Sequence, residues 1–336
     1  MRGTRDSTCE PDALPGDREA FWRVDLLKSW EHMAAMLAAV LCLALAGCQA
    51  QPANISEAGA ATETRSESAP SEEAASGGDE VFGIGKCYTT EDMWVEYDGK
   101  RVYGVLYTPK GLAGPAPAVI CSHYFGGTHA DSAQYAQAMA ERGYVAYAFD
   151  FCGGSAASRS TGATTECSIL TEADDLSAVL DAVRGLDVVD ERSVFLLGQS
   201  QGGAVSAIVA AERPADVAGL VLLYPAFVIH DEMVDRFGSA DNVPETFTWW
   251  QELGRVYAVD AMNYDFYEHI GDYEGPVLIF HGIADSLVPL SYAERAAEIY
   301  VDADLEVIEG AGHGFYGSDQ RHVFERTAAF VGANSK

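Results

Sequence analysis

Positive charge is what this 336-residue chain has least of: 21 Lys and Arg stand against 51 Asp and Glu, for a formal net charge of −30. So acidic a chain repels a nucleic-acid backbone and an anionic bilayer alike, which argues against DNA or RNA as a partner. Long apolar runs are lacking too. The run over residues 33–47 falls short of the roughly 20 residues a spanning helix needs. Cysteine is sparse, seven in all, and no pair has zinc-ligand spacing with accompanying histidines. No nucleotide or flavin motif and no internal repeat is evident, so no cofactor and no metal is expected. What the chain does have is apolar mass, 48% hydrophobic and 10% aromatic, enough for a sizeable core.

The amino end reads as separate from that core. Arg23 and Lys28 precede the apolar run, the pattern of an export signal over residues 1–47. The run ends in Leu45-Ala46-Gly47-Cys48, which resembles the lipobox of bacterial lipoproteins. That resemblance implies a lipid anchor on the Cys48 thiol and an extracytoplasmic, membrane-anchored protein; an ordinary secretory signal is the alternative. Residues 48–85 are rich in Ala, Ser, Glu, Thr and Gly, and 57–80 carry seven acidic side chains against Arg65. Such a segment buries too little apolar surface to offset its ordering entropy and reads as a disordered acidic tether. Outside the cytoplasm, Cys152 and Cys167 could close a disulfide loop or remain buried thiols; spacing does not choose between them.

From residue 86 onward one folded domain is expected. Strand patterns at Met93–Tyr97 and Arg101–Tyr107 flank Asp98-Gly99, a hairpin signal. Apolar strands at 118–122, 144–151, 193–197, 217–224, 276–280 and 305–308 then alternate with helical patterns at 132–142, 172–186, 201–211, 292–300 and 319–331. Alternation of this kind predicts an α/β fold, a doubly wound, mostly parallel sheet with helices on both faces. Residues 228–275 break the rhythm with a dense set of aromatics, Phe237, Phe247, Trp249, Trp250, Tyr257, Tyr264, Phe266 and Tyr267. An insertion of this size reads as a cap over a substrate site, or as a helical excursion packed against the sheet.

Gly198-Gln199-Ser200-Gln201-Gly202 matches G-x-S-x-G between an apolar strand and a small-residue helix, the context in which a serine is presented on a sharp turn. A serine hydroxyl is a weak nucleophile at neutral pH. It needs a base within hydrogen-bond reach and a carboxylate to orient that base. Asp285, in HGIAD after the strand at 276–280, and His313, in GAGHGF after the strand at 305–308, follow Ser200 in the expected order and fall at the carboxyl ends of strands. The other seven histidines fit less well; His281 ends a strand, where a structural hydrogen bond is the commoner explanation. Two backbone N–H donors are needed for a tetrahedral oxyanion, one from Gln201 and a second from Phe125 in His123-Tyr124-Phe125-Gly126-Gly127.

Together the GQSQGG, HGxxDxxVP and GxGHGF blocks resemble those of the α/β-hydrolase superfamily, and more narrowly of bacterial cinnamoyl and feruloyl esterases, over residues 90–333. The resemblance implies an α/β-hydrolase fold with a cap insertion and hydrolysis of a carboxylic ester, an aromatic-acid ester among the candidates, through an acyl-Ser200 intermediate. A small-molecule ester is the implied substrate. An aminopeptidase or amidase on the same triad, and a binding lipoprotein that has kept the fold without the chemistry, are the alternatives. Tyr124 stands where that family's oxyanion loop carries glycine, and is expected to narrow or reshape the acyl pocket.

Overall fold

A computed structural model describes residues 87–336. The export segment, Cys48 and the tether lie outside the described residues.

The chain enters the domain as a hairpin, β1 (Tyr88–Tyr97) and β2 (Lys100–Pro109), turning at Asp98-Gly99, both with positive φ. β3 (Ala116–Ser122), β4 (Val145–Phe149), β5 (Val189–Gln199), β6 (Gly219–Leu223), β9 (Val277–Gly282) and β10 (Ala303–Ile308) follow, each pair of neighbours parallel. Eight strands lie in the order β1-β2-β4-β3-β5-β6-β9-β10, with β2 alone running opposite to the rest, antiparallel to β1 and to β4. The joining helices are α1 (His129–Ala140), α2 (Ile169–Arg184), α3 (Gln201–Glu212), α7 (Leu290–Ile299) and α8 (Gly317–Asn334).

Period-two alternation divides the strand side chains between two cores, one per face of the sheet. Ile120, Leu196, Leu222 and Ile279 pack with Leu176 and Val179 of α2 and Val205 and Ile208 of α3. Their neighbours Cys121, Leu197, Leu223 and Phe280 face the other way, toward Tyr135 and Met139 of α1 and Val323 and Val331 of α8. Cys152 and Cys167 are buried free thiols, which removes the disulfide alternative.

Between β6 and β9 the insertion holds α4 (Ile229–Phe237), a small hairpin of β7 (Thr246–Trp249) and β8 (Gln251–Gly254), α5 (Arg255–Asn263) and α6 (Phe266–His269). Its aromatics divide the labour. Phe247, Tyr257 and Phe266 are buried in the core on the α2 and α3 side, whereas Trp250 projects from the hairpin tip 64% exposed at φ 65°. The insertion therefore holds a packed part and an exposed hairpin tip.

Because β4 lies on one side of β3 and β5 on the other, the chain reverses its winding direction between β3 and β5. In open α/β sheets a ligand crevice forms at such a point, outside the carboxyl ends of the strands. Ser122 and Gly198 are register partners at that point, so the loops that follow them start side by side.

Candidate active site

Ser200 follows β5 directly and precedes α3, with φ 51° and ψ −116°. A non-glycine residue in that region carries about 1–3 kcal/mol of strain, which persists only where the surroundings enforce it. Here glycine makes the enforcement possible. A Cβ on Gly198 would lie 2.2 Å from the Gly202 oxygen, and one on Gly202 would lie 2.4 Å from the His123 oxygen, so neither position tolerates a side chain. The Ser200 N–H donates to the Leu223 oxygen at 2.9 Å, and its carbonyl accepts from Gly203, Ala204 and Ala226.

Ser200 Oγ lies 2.8 Å from Nε2 of His313, and Nδ1 of the same ring lies 2.7 Å from Oδ2 of Asp285. An ionised carboxylate only accepts, so Nδ1 carries the ring proton and Nε2 is left to accept from the serine hydroxyl. Burial pushes the Asp285 carboxyl up, but the hydrogen bond from His313 and those from the Val288 and Leu287 N–H groups outweigh it and hold it below the usual carboxylate range. Those two N–H groups reach Oδ1 at 3.0 and 2.9 Å. The acid and base loops meet over Gly282, where a Cβ would lie 2.3 Å from the Ala311 oxygen.

His281 is structural, as its strand-end position suggests. Its Nε2–H donates to the Val288 oxygen at 2.9 Å, bracing the Asp285 loop, and burial holds its pKa below that of free imidazole.

Phe125 and Gln201 come from the two loops at the switch point. Among the described residues, neither backbone N–H donates to a protein acceptor. The Phe125 loop is held from beneath by buried His123. Its Nε2 accepts the Phe151 N–H at 3.2 Å, so Nδ1–H donates to the Tyr124 oxygen at 2.7 Å; burial keeps this ring below its ordinary pKa. Tyr124 lines the cleft at Ser200. Its hydroxyl donates to Asp131 Oδ1 at 2.7 Å and its ring walls the outer cleft, because Asp131, which also accepts the Thr128 N–H at the start of α1, draws it outward.

Two spaces meet at Ser200. The larger, about 590 Å³, is walled by Tyr124, Tyr224, Tyr316, Trp250, Asp131 and Gln134. The smaller, about 60 Å³, lies beneath the insertion among Phe125, Ile229, Trp249, Leu287 and Val288, with Glu232 as its one carboxyl, pushed up to about 7 by burial.

Comparison with known proteins places this geometry. Residues 113–263 match the family model described as serine aminopeptidase, S33. The solved structure of Est1E from Butyrivibrio proteoclasticus with ferulic acid bound superposes with a TM-score of 0.65, covering 72% of this chain and 98% of that one at 24% identity. The chain has the α/β-hydrolase fold. It is 29% identical over 224 residues to the uncharacterized protein Rv2307c of Mycobacterium tuberculosis, covering 66% of this chain and 72% of that one. It is also 28% identical over 142 residues to the monoglyceride lipase of Rattus norvegicus, covering 41% and 44% respectively.

Several side chains of the site have no motif signature in the sequence. Tyr224, at φ 40°, sets its ring edge-on to His313 with centroids 4.7 Å apart, limiting how that imidazole can tilt. Glu172 and Tyr257 hold the side chain of Gln201. Only the aromatic density of 228–275 hinted at Tyr257, and nothing local marked Tyr224 or Glu172. Among the described residues no cluster of three or more His, Cys, Asp or Glu side chains is arranged to hold a metal ion, and no helix is long and apolar enough to cross a membrane.

Proposed function

We propose that this hydrolase is a serine carboxylesterase. The observation that carries the reading is the pair of hydrogen bonds, 2.8 and 2.7 Å, that joins a strained Ser200 through His313 to Asp285. In the proposed reaction Ser200 Oγ attacks the ester carbonyl carbon while its proton passes to Nε2 of His313. Asp285 stabilises the imidazolium, and the Phe125 and Gln201 N–H groups receive the oxyanion. Collapse breaks the bond to the alcohol oxygen, which leaves with the proton from His313. Water, deprotonated by the same nitrogen, then releases the acid and restores Ser200.

The larger cleft has the volume and the ring faces to take the aromatic or otherwise bulky part of the ester, leaving the small crevice for a shorter group beside Glu232. The ferulic acid in the Est1E structure agrees in chemical class with that reading. A second reading, an aminopeptidase, is favoured by one feature, the Glu232 carboxyl lining the crevice at Ser200, where a substrate ammonium would find a partner. Burial leaves that carboxyl only partly charged at neutral pH, which weakens it as an ammonium site. In a parallel assay, p-nitrophenyl acyl esters and methyl ferulate are expected to turn over faster than aminoacyl anilides; the reverse order would replace the esterase with the peptidase.

On sequence grounds alone, the protein is proposed to sit outside the cytoplasm on a lipid attached to Cys48. Expressed in a bacterial host, it is expected to incorporate labelled palmitate and to lose that label in Cys48→Ala. A wild-type chain that stays unlabelled while exported would make the segment an ordinary secretory signal.

A further inference from the structure

The side chain of Gln201 presents a question that the proposed reaction leaves open. That reaction uses only its backbone N–H, and a buried amide is costly unless its polar atoms are paired. Gln201 is 2% exposed, and both ends of its amide are held. Nε2 donates to Oε2 of Glu172 on α2 at 2.7 Å, and Oε1 accepts from the hydroxyl of Tyr257 on α5 at 2.6 Å. Three buried polar groups from the core and the insertion thus meet behind one candidate oxyanion donor. Tyr257 touches the other donor as well: its ring packs edge-on against Phe125 with centroids 5.8 Å apart, and Trp249 lies 5.7 Å away on the side toward the cleft.

Resting on the esterase reading above, we propose that Tyr257 and Glu172 are positioning residues for the oxyanion site. They clamp the Gln201 side chain so that the insertion and the central fold together aim its backbone N–H. The clamp needs no contact with substrate. A planar amide held at both ends cannot rotate about its side-chain bonds, and its backbone inherits that restraint at the first residue of α3. Phe125, pressed by the same tyrosine ring, is restrained from the opposite loop.

Glu172 adds a pH signature. Burial pushes its carboxyl up to about 8, with Asp175 on its own helix raising it further and the Gln201 hydrogen bond pulling it down. The remaining titratable groups facing it are the Cys167 thiol from the loop before α2, the Tyr257 phenol from α5, and His123, which it approaches across Gly154. Burial holds the first two above their ordinary values and the third below, so through mildly alkaline pH all three stay neutral. Below pH about 8 Glu172 is a neutral acceptor for Gln201. Above it, a buried negative charge stands behind the position where the oxyanion forms and opposes it.

The test compares Tyr257→Phe, Glu172→Gln and Glu172→Ala with wild type on an activated ester, expressing kcat per Ser200 titrated with a fluorophosphonate and measuring Ser200→Ala alongside. Expected for Tyr257→Phe and Glu172→Ala is a fall in kcat of about ten- to hundredfold, with KM changed less than about threefold. Glu172→Gln, which still accepts from Gln201 but cannot ionise, is expected to recover kcat at pH 7 and to lack the alkaline fall expected of wild type. Normalising to titrated sites removes any loss that comes from misfolding. Wild-type kcat in both Tyr257→Phe and Glu172→Ala, with Ser200→Ala inactive, would overturn the clamp and leave the esterase standing. Full activity in Ser200→Ala would instead overturn the esterase reading and the clamp with it.

Discussion

Replacing Ser200 with alanine is expected to lower kcat on an activated ester by about 10⁴-fold or more and to abolish labelling by a fluorophosphonate. The melting temperature should stay within about 2 °C of wild type, because a single hydroxyl and its hydrogen bond to His313 are lost and the enforcing contacts are untouched. Those contacts are the Leu223 oxygen on the Ser200 N–H and the close approach of Gly198 to Gly202. Ser200→Gly is the informative companion. It should be equally inactive, but glycine adopts φ 51° freely, so any strain held at the turn appears as a recovered melting temperature. A correctly folded wild-type protein that takes no label and cleaves no ester would leave a binding protein on an esterase scaffold.

The second large effect belongs to Asp285→Asn, for which turnover is expected to fall about 10³- to 10⁴-fold with the fold retained. The reason is directional. Oδ1 of Asp285 accepts the Leu287 and Val288 N–H groups, so in the variant the amide oxygen must remain on that side. The NH₂ then faces His313, forcing Nδ1 to accept and moving the ring proton to Nε2, which can no longer take the proton of Ser200. His313→Ala, which removes the base itself, is expected to cost at least as much. A near-silent Asp285→Asn would mean that another carboxylate orients the ring. Protonating Asp285 has the same sense in wild type. Its folded-state pKa lies below the ordinary value, so its contribution to stability is full above the carboxylate range and is lost as pH falls through that lowered value.

Residues that work through local backbone geometry were open to reading from the chain. The Ser200 turn could be recognised because its requirements are met within five residues, two glycines whose missing side chains admit the sharp bend. Asp285 and His313 were placed because the carboxyl ends of parallel strands are where such sheets build sites, and each follows a strand pattern in the expected order. Gln201 and Phe125 came from position relative to those strands. The small hairpin of β7 and β8 went unread because its four-residue strands are too short to express a period. Where the Tyr124 side chain points was not legible in the chain. Its direction depends on Asp131, which α1 brings into range only once that helix has been capped.

Sequence by itself determined the alternating α/β order and pointed to the candidate serine, acid and base and to the two loops that carry the candidate oxyanion donors. All of these follow from short-range patterns, since a strand, a turn and a helix start are each dictated by a handful of neighbours. Tertiary structure alone decided what surrounds them: the Tyr224 ring against His313, the Glu172–Gln201–Tyr257 clamp, the Glu232 carboxyl in the crevice and the free state of Cys152 and Cys167. Glu172 and Tyr257 lie 29 and 56 residues from Gln201. A hydrogen bond across such a separation has no local signature, because it exists only after hydrophobic burial has packed α2, α3 and the insertion together and removed the water that would otherwise satisfy each group.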